Sequence, residues 1–144
     1  MSTSVELKEG ASLPTIKKNI VQDNIDRYAK ASGDFNPIHI DADYARKTPL
    51  GGTVAHGMLI LAYSSQMMTN AFGHDWLSGG RLNVRFRAPA RPGDVITISG
   101  TVRRIEKAEG YQMIDCDVLC SNQNDEPVIT GDARVKVGDN ENRG

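Results

Sequence analysis

Gly57-Met58-Leu59-Ile60-Leu61-Ala62-Tyr63 opens the stretch that decides the architecture. A helical pattern continues from there to Phe72, and Gly73 is a natural C-terminal stop. The first half of this helix is apolar on every side. Such a helix is expected to be buried all round, not laid on a surface. It is far too short an apolar run to cross a bilayer, which takes about 20 residues. It therefore needs a wrapper made from the rest of the chain.

The wrapper is read downstream. From Arg81 the period changes to two: Leu82, Val84 and Phe86 alternate with Asn83, Arg85 and Arg87. Ile96, Ile98, Gly100 and Val102 share a face in the next segment, Ile114, Cys116, Val118 and Cys120 in the third, and Ile129, Ala133, Val135 and Val137 in the last. Turn chemistry separates the segments at Arg91-Pro92-Gly93-Asp94, at Ala108-Glu109-Gly110 and at 122–127. Alternation with one apolar face predicts an antiparallel sheet wetted on its other side. One curved antiparallel sheet folded around one central helix satisfies both partners, an α+β arrangement.

Upstream, Leu13 to Ile20 reads as a first strand and Gln22 to Ser32 as a helix, with Asp23 as its N-cap and Gly33 as its stop. Ile25, Tyr28 and Ala29 fall on one face of it. Asp41 to Lys47 reads as a short second helix, acids early and bases late, as the helix dipole prefers. Pro49, Gly51 and Gly52 then break regular structure. No repeat or linker divides the chain, so a single domain is expected over residues 11–138, with loose ends at 1–10 and 139–144. The formal net charge of −1 offers no polycation for nucleic acid. The polar start lacks a basic region followed by an apolar run, so no secretory signal is read there and a cytoplasmic protein is expected. Cys116 and Cys120 would lie about 13 Å apart on one strand face. A disulfide needs Cα atoms within about 7 Å, so both are expected as buried thiols of a reducing compartment.

The stretch before the helix carries the chemistry. Gly33-Asp34-Phe35-Asn36-Pro37-Ile38-His39 puts a carboxylate and an imidazole five positions apart with a proline between them. Pro37 pushes Asn36 toward extended geometry, and Asp34 and Asn36 favour side-chain-to-backbone turns. Asp34 and His39 are thus expected on a tight loop, converging on one water. An ionised Asp34 would accept a proton from it, and His39 would hold the oxygen or exchange a proton. Asn36 would fix the loop or donate to the same site. Ala55-His56-Gly57-Met58 places a glycine where the buried helix begins, and the first N–H groups of a helix have no internal partner. The Gly57 N–H is therefore a candidate oxyanion donor. Together these groups suit adding water to, or removing it from, an activated carbonyl compound.

Tyr28-Ala29-Lys30-Ala31-Ser32-Gly33-Asp34-Phe35-Asn36-Pro37-Ile38-His39-Ile40-Asp41, then Tyr44-Ala45, then residues 51–59 resemble the hydratase motif of the MaoC-like family. That family includes (R)-specific enoyl-CoA hydratases and 3-hydroxyacyl dehydratases of hot-dog fold. The resemblance implies a single hot-dog unit that pairs as a homodimer or an oligomer of dimers, with the active sites near the subunit interface. It implies reversible addition of water to a trans-2-enoyl thioester carried on coenzyme A or an acyl carrier protein, with no metal or redox cofactor. It makes Asp34 and His39 the water-activating pair, Asn36 a supporting polar group and Gly57 the oxyanion donor. It matches Ser65 to a position that supports the active-site loop in some relatives.

The remaining candidates are weaker. His56 reads as a packing or hydrogen-bonding residue at the helix start, and His74 as solvent-facing. Asp34, His39 and His56 match no metal motif, so no metal is expected. Among the cations, Arg85 and Arg87 lead Arg81, Arg91 and Arg103 as partners for substrate phosphates. Met67, Met68, Phe72 and Trp76 are candidates to bound an acyl pocket. Two other activities would fit the same equipment: thioester hydrolysis, with water attacking the carbonyl, and acyl-CoA binding without turnover.

Overall fold

The computed structural model describes residues 7–138; the expected loose ends at 1–6 and 139–144 lie outside the described residues. In chain order the elements are β1 (Ile16–Asn19), α1 (Gln22–Ser32), α2 (Pro37–Ile40), α3 (Ala42–Arg46), α4 (Gly57–Phe72), α5 (His74–Gly79), β2 (Arg81–Phe86), β3 (Val95–Ala108), β4 (Tyr111–Ser121) and β5 (Pro127–Gly138). The strands form one antiparallel sheet in the order β1-β3-β4-β5-β2. Long β3, β4 and β5 make its centre, and short β1 and β2 are its edges.

The period-two reading places the concave face. Ile96, Ile98, Val102, Ile114, Cys116, Val118, Cys120, Ile129, Ala133, Val135 and Val137 are all buried, in one cluster with Leu59, Ile60, Met67, Met68, Ala71 and Phe72 of α4. Gly100 leaves room for side chains from two sides: a Cβ there would stand 2.8 Å from Leu13 Cδ1 and 3.0 Å from Met67 Cε of α4. An alanine there would make the ends of the Leu13 and Met67 side chains shift. Both cysteines are free and buried, as expected of thiols used as small hydrophobes. Burial pushes the Cys116 thiol up to about 12, with Asp115 and Asp117 adding to the effect.

Helix α4 departs from expectation in one respect. It is not buried all round: Met58 is 57% exposed, and Ala62, Gln66 and Asn70 continue that open stripe. The sheet reaches only part of the way around it. Residues 7–10 also differ from a loose end, because Gly10 donates to the Val102 carbonyl at 2.8 Å, Glu9 accepts from the Ile105 N–H, and Leu7 packs on the core. The expected strand from Leu13 shortens to Ile16–Asn19, since Pro14 cannot donate to a ladder.

The convex face is polar. Asp115 accepts from Arg134 Nε and Nη2 at 2.7 and 3.2 Å, and Arg103 pairs with Asp117 at 2.8 Å. The Arg134 hydrogen bond holds the Asp115 carboxyl below its ordinary value, against the opposing effect of burial. A register shift between Val102 and Arg104 lets Arg103 and Arg104 both face solvent while Val102 stays buried.

Candidate active site

The loop after α1 is built by short polar contacts. Gly33 adopts φ 78°, which a side chain would resist, and turns the chain out of the helix while its N–H closes on the Ala29 carbonyl. Asp34 Oδ1 then accepts from the Asn36 N–H at 3.2 Å, and Asn36 Oδ1 accepts from the Ile38 N–H at 3.1 Å. Within the expected tight loop, these two successive turns build a cap followed by one helical turn, α2. Pro37 occupies its first position, where no N–H is needed. Asp34 is exposed and His39 is half-buried.

Three contacts from elsewhere in the chain hold this turn in place. His39 Nδ1 faces the Val54 carbonyl at 2.8 Å, so it donates there and leaves Nε2 with its lone pair. Gln22 Nε2 donates to the His39 carbonyl at 2.8 Å, and Thr53 Oγ1 in turn donates to Gln22 Oε1 at 2.8 Å. His56, buried to 2% exposure, donates Nε2–H to the Asp34 carbonyl at 3.0 Å. Its ring stacks on His39 with centroids 3.8 Å apart and planes 25° apart, and Tyr28 closes the other flank at 4.8 Å. Polar side-chain atoms of Asp34, His39 and His56 consequently lie within 4.8 Å of one another.

The two positions singled out for water activation thus come together, and His56, read from sequence as a bystander, joins them. The trio is a poor metal cage. Imidazole lone pairs lie in the ring plane, and two stacked planes tilted by 25° do not converge on a point about 2.1 Å from both nitrogens. Nothing in the spacing announced the roles of His56 and Gln22, because their contacts span 22 and 17 positions.

Gly57 is the first residue of α4, exposed, and its N–H has no acceptor among the described residues. A Cβ on it would stand 2.9 Å from Phe86 Cε1. Gly57 lines a cleft of about 330 Å³ with Ala55, Ile60, Phe86, Arg87 and Val128 among its neighbours. Asp34 and His39 are not in that lining; the His56–Gly57 peptide joins the two regions. Arg87 is at the cleft and donates Nε–H to Thr130 Oγ1 at 3.0 Å. Arg85, in register with Thr130, is exposed and outside that lining. Arg81 and Arg103 border a separate depression on the convex face, and Arg91 donates to the Leu50 carbonyl. Ser65 Oγ accepts the Trp76 indole N–H at 2.9 Å, a contact between α4 and α5 and not with the loop. Met67, Met68 and Phe72 are core, and His74 is exposed as expected.

Comparison with known proteins identifies the family and the fold. Residues 5–122 match the MaoC-like domain family. The chain is 31% identical over 126 residues to 3-hydroxybutyryl-CoA dehydratase of Methylorubrum extorquens, covering 85% of this chain and 76% of that protein. It is 33% identical over 132 residues to the (R)-specific enoyl-CoA hydratase of Rhodospirillum rubrum, covering 92% of this chain and 89% of that one. Its fold superimposes on an R-hydratase of Pseudomonas aeruginosa in unliganded form with a TM-score of 0.79 at 27% identity, covering 93% and 84% of the two chains. An open-edged hot-dog sheet around α4, a capped Asp–His turn and a free amide at the helix start are the local features of a chain that belongs to the MaoC-like dehydratase family.

Proposed function

We propose that this protein is an (R)-specific enoyl-CoA hydratase, equally a 3-hydroxyacyl-CoA dehydratase in the reverse direction. The observation that carries the reading is the pairing of Asp34 and His39 beside an unpartnered Gly57 amide. One oxygen of Asp34 is occupied by the Asn36 N–H, which leaves the other for water. His39 presents Nε2 as an acceptor because Val54 holds Nδ1. A water donating one hydrogen to each is oriented with a lone pair free for Cβ of a trans-2-enoyl thioester.

In the forward direction the water oxygen bonds to Cβ while Asp34 takes its proton. The C=C electron pair moves to Cα and onto the thioester oxygen. The Gly57 N–H stabilises that oxyanion, a contribution of about 3 kcal/mol where such donors have been removed. Asp34 then returns a proton to Cα, so water and enoyl thioester balance the product with no other reactant. No metal or redox cofactor enters; the coenzyme A or carrier arm belongs to the substrate, and Arg87 at the cleft is the cation best placed for it. The domain, expected over 11–138, takes in residues 7–10 as well, since Leu7 packs on its core and Gly10 bonds to Val102. The open β2 edge, with Phe86 and Met58 55% and 57% exposed beside it, favours a homodimer. The buried, unpaired thiols fit the reducing cytoplasm.

The test is hydration of crotonyl-CoA and longer enoyl-CoAs by purified protein, with chiral analysis of product. Asp34→Asn and His39→Gln are each expected to cost about 10³-fold or more in kcat, with an unchanged circular dichroism spectrum. Near wild-type rates in either variant, or release of free thiol in place of hydration, overturns the reading.

A further inference from the structure

We infer that His56 is a positioning residue for the Asp34–His39 pair, acting through its Nε2–H. This rests on the hydratase reading. The two residues of the pair are each tied by their main-chain carbonyl to a side chain outside the turn: His39 to Gln22, Asp34 to His56. The two ties differ in kind. Gln22 is half-buried and shares its amide with Asp26. His56 is 2% exposed, wedged between the His39 and Tyr28 rings, and its Nε2 meets only the Asp34 carbonyl.

The chemistry of the ring argues for a specific task. Its Nδ1 is buried and has no hydrogen-bond partner among the described residues. A buried polar atom left unsatisfied costs stability, and a leucine or phenylalanine in this apolar niche would avoid that cost. What the imidazole supplies that they do not is one donor at the Nε2 position, aimed at Asp34. The Asp34 side chain is otherwise exposed and held only by the Asn36 N–H at 3.2 Å. The His56 strut therefore sets where the carboxylate stands relative to His39, while the stack sets the His39 ring plane. A misplacement of about 1 Å at reacting groups is enough for a 10²-fold loss in rate. Because His56 is also the residue before Gly57, the strut fixes the carboxylate relative to the oxyanion donor as well. One side chain thereby references all three reacting groups to the start of α4.

The experiment separates the donor from the ring. Gln carries its amide nitrogen near the Nε2 position; Asn carries it near Nδ1 and cannot reach the carbonyl; Phe keeps the ring and has no donor. Each variant is assayed for crotonyl-CoA hydration, with thermal melts and size-exclusion profiles as checks on folding. His56→Gln is expected within about threefold of wild-type kcat, and His56→Asn and His56→Phe about tenfold or more below it with KM within about twofold. Should the phenylalanine variant fail to fold, the Gln and Asn pair, matched in polarity, decides alone. Equal kcat for His56→Gln and His56→Asn, or losses confined to KM, overturns the inference. Absence of hydration by the wild-type protein would instead sink the hydratase reading, so the two failures are distinguishable.

Discussion

The turn at 34–40 and the core around α4 are held by opposite means. Around α4, side chains from distant strands fill space, and polar partners are few; the Ser64 hydroxyl beside Cys120 at 3.1 Å is one. In the turn almost nothing is filled. Phe35 is 54% exposed, Asp34 and Asn36 face solvent, and the shape follows from a handful of hydrogen bonds to carbonyls and amide groups. The difference teaches where each property of the protein resides. Stability is a volume property of the sheet and helix, and reactivity a directional property of a segment that contributes little to stability.

That division can be tested from both ends. The largest expected effect on stability is in the core. Phe72→Ala removes a ring only 2% exposed and is expected to cost about 3–5 kcal/mol, with a fall in Tm of about 10 °C or more. The kcat of the fraction still folded should stay within about threefold; a collapse of kcat with intact melting behaviour would break the contrast. Next comes the convex face. Asp115→Asn loses the charged pair with Arg134, whose own side chain is 49% exposed, so solvent screening limits the effect to about 1 kcal/mol at neutral pH. Since the pair holds the Asp115 carboxyl below its unfolded value, its contribution is present above about pH 4 and is lost as pH falls through the lower folded value. Urea midpoints of wild type and variant should therefore differ at pH 7 and converge as pH falls through the folded value of Asp115; a constant gap would contradict the assignment. The smallest stability change belongs to the turn. Asn36→Ala removes the cap on α2 and is expected to cost about 1 kcal/mol or less, yet to lower hydration by about tenfold because the Asn36 segment carries the Asp34 contact. A loss of rate no larger than that of a typical surface substitution would show that the cap does not matter to the carboxylate.

The same division explains what could be read in advance. The bounds of α4 follow from its apolar run and the Gly73 stop, and the faces of the three long strands follow from period two, because both signals are local. Helix α1 was expected to be capped by Asp23, but Val21 is its N-cap. Gln22 lies inside the first turn, from where it reaches His39 and Thr53, a long-range demand that outweighs a capping preference. Helix α5 was not expected at all. Its His74–Gly79 sequence has weak helical preference, and its turn forms where Trp76 lies over Gly80 and donates to Ser65. The solvent-facing stripe of α4 does not follow from its apolar first half, because a single chain closes its sheet only partly around the helix. Asp34 and His39 were legible as a local motif; their meeting with His56 was not, since it depends on how the 51–56 segment returns beneath the turn.

The Val54 carbonyl has a consequence beyond anchoring a ring. An imidazole free to flip could offer either nitrogen to a bound water. With one nitrogen permanently engaged by main chain, the other is the sole port, and it opens in one direction. On the hydratase reading, a peptide oxygen outside the reacting groups thus decides which ring nitrogen meets the water.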